Sequence, residues 1–233
     1  MYYTLENQLL AALSDSEYQH LAPHLEEISL AAAEILYKPG ENIEFVYFPL
    51  NAMISFTSSL DERLTIEVAL VGNEGMVGLP VFWGGDSTIN TAIVQIKGNT
   101  MKLAADVLRS ECVQNKTLRN LLLIYTQSLF TQVSQNGVCR ANHTIEKQLA
   151  RWLLSVQDCI QLDEFVLTQE FISQMLGVRR AGVSEASTAL QKMGLIRYSR
   201  GRIEILDRIA LESASCSCYH IIKNELIRLL DSR

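Results

Sequence analysis

The stretch LTQEFISQMLGVRRAGVSEASTALQKMGLIRYSRGRIEIL, residues 167–206, constrains the fold of this chain more than any other. Thr168 is a helix-capping type, and Gln169 and Glu170 follow in the first turn, where a carboxylate is favoured by the positive end of the helix dipole. Phe171, Ile172, Met175 and Leu176 supply a buried face at helical spacing, and Gly177 suits a left-handed stop. A second helix is predicted over about 180–192, with Val183, Ala186, Leu190 and Met193 as its apolar stripe. Two short helices joined so tightly must cross steeply, which is helix-turn-helix geometry. Gly194 ends the second helix. Leu195-Ile196-Arg197-Tyr198 and Arg202-Ile203-Glu204-Ile205 then flank Ser199-Arg200-Gly201, a β-hairpin with a glycine turn.

Cap, helix, glycine turn, arginine-led helix and glycine-tipped hairpin, in that order, form a winged helix-turn-helix. The side chains placed to meet double-stranded DNA are Thr168, Gln169, Arg179, Arg180, Ser184, Glu185, Thr188, Arg197, Arg200 and Arg202. Arg179 and Arg180 open the second helix, the end from which base edges are reached. An arginine bridging guanine O6 and N7 supplies about 1–3 kcal/mol of discrimination. Arg197, Arg200 and Arg202 on the wing suit phosphates, which position the protein but carry no sequence information. Charge distribution agrees, although the whole chain has a formal net charge of −6. Residues 168–206 hold six basic side chains against three acidic ones, whereas residues 1–110 hold five against fourteen.

The rest of the chain has a different texture. Residues 3–27 read as helical, with Leu9, Leu10, Leu13 and Leu21 in an apolar stripe and Pro23 as an interruption. From 28 to 105, short β-rich runs (45–48, 53–56, 64–68 and 92–96) alternate with turn signals at Pro39-Gly40, the polar stretch from 58 to 63, Gly72-Asn73, Gly84-Gly85-Asp86 and Gly98-Asn99. That pattern predicts a small antiparallel barrel or roll. Residues 106–141 read as one long helix. Leu118, Leu122, Tyr125, Leu129, Val133 and Asn136 recur at near-heptad spacing and are assigned to a homodimer seam; packing on the helix's own domain is the competing reading. A further helix is predicted over about 145–160. The expected organisation is α+β: a β-roll domain with its N-terminal helix (1–105), a long dimerisation helix (106–141), and a winged helix-turn-helix with a C-terminal helix (142–233).

No apolar run reaches the roughly 18 residues needed to span a membrane, and the start lacks a basic n-region. A cytoplasmic protein with no membrane partner is expected. Five cysteines at irregular spacing argue against a disulfide framework. Cys216 and Cys218 stand at i and i+2 on what reads as one helix over 207–231, so their thiols should point apart. They and Cys139 are read as buried structural cysteines, with no metal site expected. The four histidines, His20, His24, His143 and His220, all lie outside 28–105, so a metalloenzyme of cupin type has no histidine set to use and no enzymatic activity is expected.

On TQEFISQMLGV, the arginine-led helix and GLIRYSRGRIEIL, the sequence resembles the Crp/Fnr family of bacterial transcription regulators, most strongly over 145–206. The resemblance extends more weakly along the chain: a cyclic-nucleotide-binding-like roll, a dimerisation helix and a winged helix-turn-helix. It implies a homodimer on a palindromic operator, with RNA polymerase among its partners. Departures are instructive. Where the family's cyclic-nucleotide binders offer a glutamate to ribose and an arginine to the cyclic phosphate, this chain has Gly75-Met76-Val77-Gly78-Leu79 and Asn90-Thr91-Ala92. Methionine accepts no hydroxyl proton and asparagine neutralises no phosphate, so no tight cyclic AMP binding is expected. In the second helix, Ala181 and Glu185 stand where well-studied members have a glutamate and an arginine, so a different operator is implied. No cysteine precedes Cys112, so the family's N-terminal iron–sulfur ligands are absent. The apolar set Met76, Leu79, Val81, Phe82 and Trp83 leaves open a roll that binds a protein partner or another small effector.

Overall fold

The computed structural model describes residues 7–59 and 65–231. The expectations for residues 3–6 as helix, for 60–63 as a turn and for Leu64 as strand lie outside them. The chain begins with α1 (Gln8–Ala11), α2 (Asp15–Leu21) and a 3₁₀ turn (Ala22–His24). The helical stretch expected up to residue 27, interrupted at Pro23, is instead broken earlier, between Ala11 and Asp15, and its last residues, Glu26 and Glu27, open a strand. Ser14 starts α2 afresh with a reciprocal capping box: its hydroxyl accepts from the Glu17 N–H, and the Glu17 carboxylate accepts from the Ser14 N–H.

Strands follow as β1 (Glu26–Leu30), β2 (Ile35–Tyr37), β3 (Phe45–Pro49), β4 (Met53–Ser59) and β5 (Thr65–Val71), then a single helical turn α3 (Leu79–Phe82), β6 (Thr91–Ile96) and β7 (Gly98–Ala104). One sheet has the order β1-β7-β3, with Glu26 opposite Lys102 and Phe45 opposite Ala104. The other has the order β2-β6-β4-β5. Val46, Phe48, Met53, Ile54, Val94 and Leu103 fill the interior. The helix expected over 106–141 divides into α4 (Ala105–Gln114) and α5 (Lys116–Asn142). Asn115 makes the break: its backbone is extended and its side chain accepts from the Leu118 N–H at 3.0 Å, so it caps α5.

The C-terminal elements are α6 (Ile145–Ile160), β8 (Glu164–Val166), α7 (Gln169–Leu176), α8 (Arg180–Lys192), β9 (Ile196–Ser199), β10 (Arg202–Ile205), α9 (Arg208–Ala214) and α10 (Cys218–Asp231). β8 joins the hairpin as a third strand, in the order β8-β10-β9. The architecture is α+β, as expected.

Two compact units share the chain: Met1–Phe56 with Leu70–Leu129, and Thr57–Ala69 with Phe130–Arg233. They part within α5, β4 and β5: the end of β4 from Thr57 and the start of β5 up to Ala69 belong with the second unit. No helix among the described residues is long and apolar enough to cross a membrane.

Candidate nucleic-acid interface

The helix-turn-helix is set by local chemistry. The Thr168 hydroxyl accepts from the Phe171 N–H at 3.1 Å and starts α7. Gly177 ends it at φ 69°, with the Gly177 N–H donating to Gln174 and the Val178 N–H to Ser173, a Schellman stop that strongly favours glycine. Arg179 then has extended backbone and serves as the N-cap position of α8. Ile172, Met175 and Leu176 of α7 and Val183, Ala186 and Leu190 of α8 are buried, together with Leu149, Trp152, Leu153 and Val156 of α6. Met193, assigned to the stripe, is instead 57% exposed because the helix ends there. The hairpin turns at Arg200 and Gly201, both at positive φ, as a two-residue type I′ connection demands.

These contacts leave the first turns of α8 free. Arg179, Arg180, Glu185 and Thr188 are exposed and Ser184 is half-buried on the same helix. The Thr188 hydroxyl donates to the Ser184 carbonyl at 2.8 Å. Arg180 lies close enough to Tyr198 to oppose the burial that pushes that phenol up to about 12, and Tyr198 donates to the Leu167 carbonyl at 2.8 Å. No ion pair engages Arg179, Arg180 or Arg200 among the described residues. The other two wing arginines differ: Arg197 pairs with Glu204, and Arg202 with Glu164. Exposed pairs of this kind are worth little and yield readily to a phosphate. Thr168 is exposed but committed to its cap, and Gln169 is half-buried beside it.

Behind the helices lies a polar network that the sequence did not announce. Glu67, from the tip of β5, is 3% exposed and accepts from Trp152 Nε1 at 2.8 Å. Arg140 of α5 donates to the Glu67 carbonyl and, at 3.3 Å, to the Met175 carbonyl. Burial holds the Arg140 pKa below the usual guanidinium value, while the charge of Glu67 opposes that fall. Asn136 donates to the Val68 carbonyl at 3.0 Å. Tip, α5, α6 and the end of α7 are thus fastened together within one unit.

The expected dimer seam does not survive intact. Leu118, Leu122, Tyr125 and Leu129 are each 9% exposed or less, enclosed by the chain itself, and Asn136 serves the network above. Helical spacing marked the more apolar face, and that face packs inward. Of the six residues only Val133 is exposed; Leu123, Phe130 and Val138 join it on the outer side of α5, with Phe130 72% exposed.

In the roll, Met76 and Val77 are fully buried, as are Leu79 and Val81, whereas Phe82 is half-buried and Trp83 exposed. Tyr125 packs so closely on Gly75 that a Cβ there would lie 2.3 Å from its hydroxyl. Asn90 is held by Thr88, whose hydroxyl accepts from its N–H at 3.3 Å.

The helix expected over 207–231 is also corrected. α9 stops at Ala214, Cys216 lies in the break, and α10 starts at Cys218, so these thiols turn to the same side instead of diverging.

Residues 147–214 match the family model described as the Crp-like helix-turn-helix domain. No curated protein matches the sequence. Among solved structures, FixK2 from Bradyrhizobium japonicum is similar with a TM-score of 0.70 at 18% identity, over 82% of this chain and 98% of that one. A regulator of the Crp/Fnr family from Eubacterium rectale gives 0.68 at 18%, over 90% and 98%. A transcriptional regulator of the Crp family from Thermus thermophilus gives 0.67 at 19%, over 81% and 96%. The chain therefore has the fold of the Crp/Fnr transcription regulators and carries their Crp-like helix-turn-helix domain.

Proposed function

We propose that the chain is a homodimeric regulator that reads double-stranded DNA with α8. The observation that carries this is the exposed N-terminal end of α8, where Arg179 and Arg180 make no ion pair among the described residues, on a helix fixed by α6 and α7. Arg179 and Arg180 meet base edges, with Ser184, Glu185 and Thr188 alongside. Arg200 meets a phosphate directly, and Arg197 and Arg202 do so by exchanging their glutamate partners. Gln169 and the α7 N-terminus adjoin the backbone of the duplex.

Pairing uses the outer face of α5, on which Leu123, Phe130, Val133 and Val138 are the exposed apolar side chains. Two α8 helices then reach successive major grooves about 34 Å apart, and the operator is palindromic. Control does not come from cyclic AMP. Buried Met76 and the Tyr125 ring against Gly75 support this, since neither offers what a ribose or a cyclic phosphate needs. The roll acts through the two chain segments that pass from one unit into the other, α5 and the β4–β5 hairpin, and RNA polymerase is the partner on promoter DNA.

Selection of purified protein against randomised duplexes tests the reading. A two-fold symmetric motif should emerge, and it should vanish with R179A/R180A. Equal retention of all sequences, or binding by a monomer to one unpaired half-site, overturns it. Calorimetry showing micromolar cyclic AMP binding overturns the effector part alone.

A further inference from the structure

Four potential metal ligands converge inside the second unit. Cys139 lies on the last turn of α5 and His143 follows at i+4, with its N–H still bonded to the Cys139 carbonyl at 3.0 Å, so both project to one side. Cys216 lies in the break between α9 and α10, and Cys218 opens α10. The Cys139 and Cys216 sulfurs are 3.5 Å apart, although 77 residues separate them in sequence. Cys218 Sγ lies 3.6 Å from His143 Nδ1, and all four ligand atoms fall within 4.8 Å of one another. The three cysteines are buried and His143 is half-buried.

These separations are those of one ion's coordination shell. Zinc–sulfur bonds of about 2.3 Å at tetrahedral angles put sulfurs about 3.8 Å apart, and a sulfur and an imidazole nitrogen about 3.6 Å apart. An iron–sulfur core would hold its cysteines farther from each other.

A second observation concerns charge. Arg151 of α6 is 5% exposed, its Nε has no hydrogen-bond partner, and its field acts on Cys139, Cys216 and Cys218 alike. A buried guanidinium beside three thiols favours their ionised form, and negative charge placed there offsets the cost of burying it. A divalent ion with three thiolates and a neutral imidazole carries one net negative charge, which matches it.

We propose that Cys139, His143, Cys216 and Cys218 form a mononuclear tetrahedral zinc site. Binding releases the three thiol protons, so the site loads at neutral pH and empties in acid. The ion staples the end of α5 to the turn before α10, and the helix-turn-helix lies in the loop so closed. Closing a long loop stabilises the folded unit, and chelation should loosen it.

The test uses the full chain, purified under reducing conditions without added metal. About one equivalent of zinc per chain is expected, and metal-free protein should bind about one equivalent of cobalt with the visible bands of a tetrahedral thiolate site. Cys112→Ser should leave both unchanged. Arg151→Met should weaken zinc by about 10–100-fold in competition with a chelator, and Cys139→Ser by more. The cobalt titration of the unaltered chain decides the question even if the variants fail to fold. The proposal is overturned by a folded metal-free chain that takes up no cobalt, by iron with acid-labile sulfide, or by a Cys139–Cys216 disulfide with no bound metal.

Discussion

The two units of this chain treat charge in opposite ways. The first closes on Val46, Phe48, Met53, Ile54, Val94 and Leu103; its buried carboxylate, Glu111, lies 3.4 Å from the exposed His20. The second takes Glu67 and Arg151 fully inside, half-buries Arg140, and gathers three buried thiols beside them. An apolar core is specified by shape and area, and it degrades gradually when volume is removed. A core built on buried charge is held by a few partners, and losing one strands another. The lesson is that the helix-turn-helix, part of the second unit, should respond to single changes in buried charge to which the roll's apolar interior is indifferent.

The strongest test of that contrast is Glu67→Ala. It leaves Arg140 without its nearby carboxylate and Trp152 Nε1 without its acceptor, and should cost about 3–5 kcal/mol in urea denaturation. Glu67→Gln keeps the shape and an acceptor for Trp152, and should cost clearly less. Equal losses would mean that Glu67 acts through packing, and the contrast between the units would break.

In the first unit the matching change is Leu122→Ala, which removes fully buried volume and should cost about 2–5 kcal/mol. One residue further, Leu123 is 51% exposed. Leu123→Ala should leave monomer stability within about 0.5 kcal/mol. On the same outer face, Phe130→Ala should weaken the dimer by about 2 kcal/mol or more in sedimentation experiments. Should Leu122→Ala dissociate the dimer while Phe130→Ala does not, the inner face is the seam after all.

What could be read from the sequence follows the same divide. α7, its Schellman stop, α8 and the hairpin are specified by neighbours within a few residues, so Thr168, Gly177, Gly194 and Arg200-Gly201 announce them. β1, β2, β7 and β8 carry no comparable local signal; they exist because partners such as Lys102 for Glu26, or Ile203 for Phe165, arrive from far along the chain. Which face of α5 pairs is not legible in the sequence for a related reason. Periodicity locates an apolar stripe but does not say whether the covering surface is the same chain or another. The Glu67–Arg140 network and the convergence of Cys139 with Cys216 join residues 73 and 77 positions apart, and no spacing rule reaches that far.

Within the DNA interface the contrast is between α8 and the wing. Arg180→Ala should relax specificity by about 1–3 kcal/mol at one base pair. Arg200→Ala should weaken all sequences alike and lower the slope of affinity against salt by about 1. Measured on the same set of single-mismatch duplexes, the reverse pattern would exchange the roles of helix and wing.

The smallest effect separates structure from contact at one residue. Thr168 was assigned to the DNA face, yet its hydroxyl is occupied by the Phe171 N–H. Thr168→Ala should cost about 1 kcal/mol of stability through the lost cap. Thr168→Ser keeps the cap oxygen and should restore most of that stability. If the hydroxyl only caps, the serine variant binds operator as the parent does, and the alanine variant loses affinity only where α7 frays. A serine variant that is fully stable yet weak on every duplex would instead place the threonine methyl against the DNA backbone. The interface would then extend past α8 onto the start of α7, and the second unit would present two helix ends to the duplex.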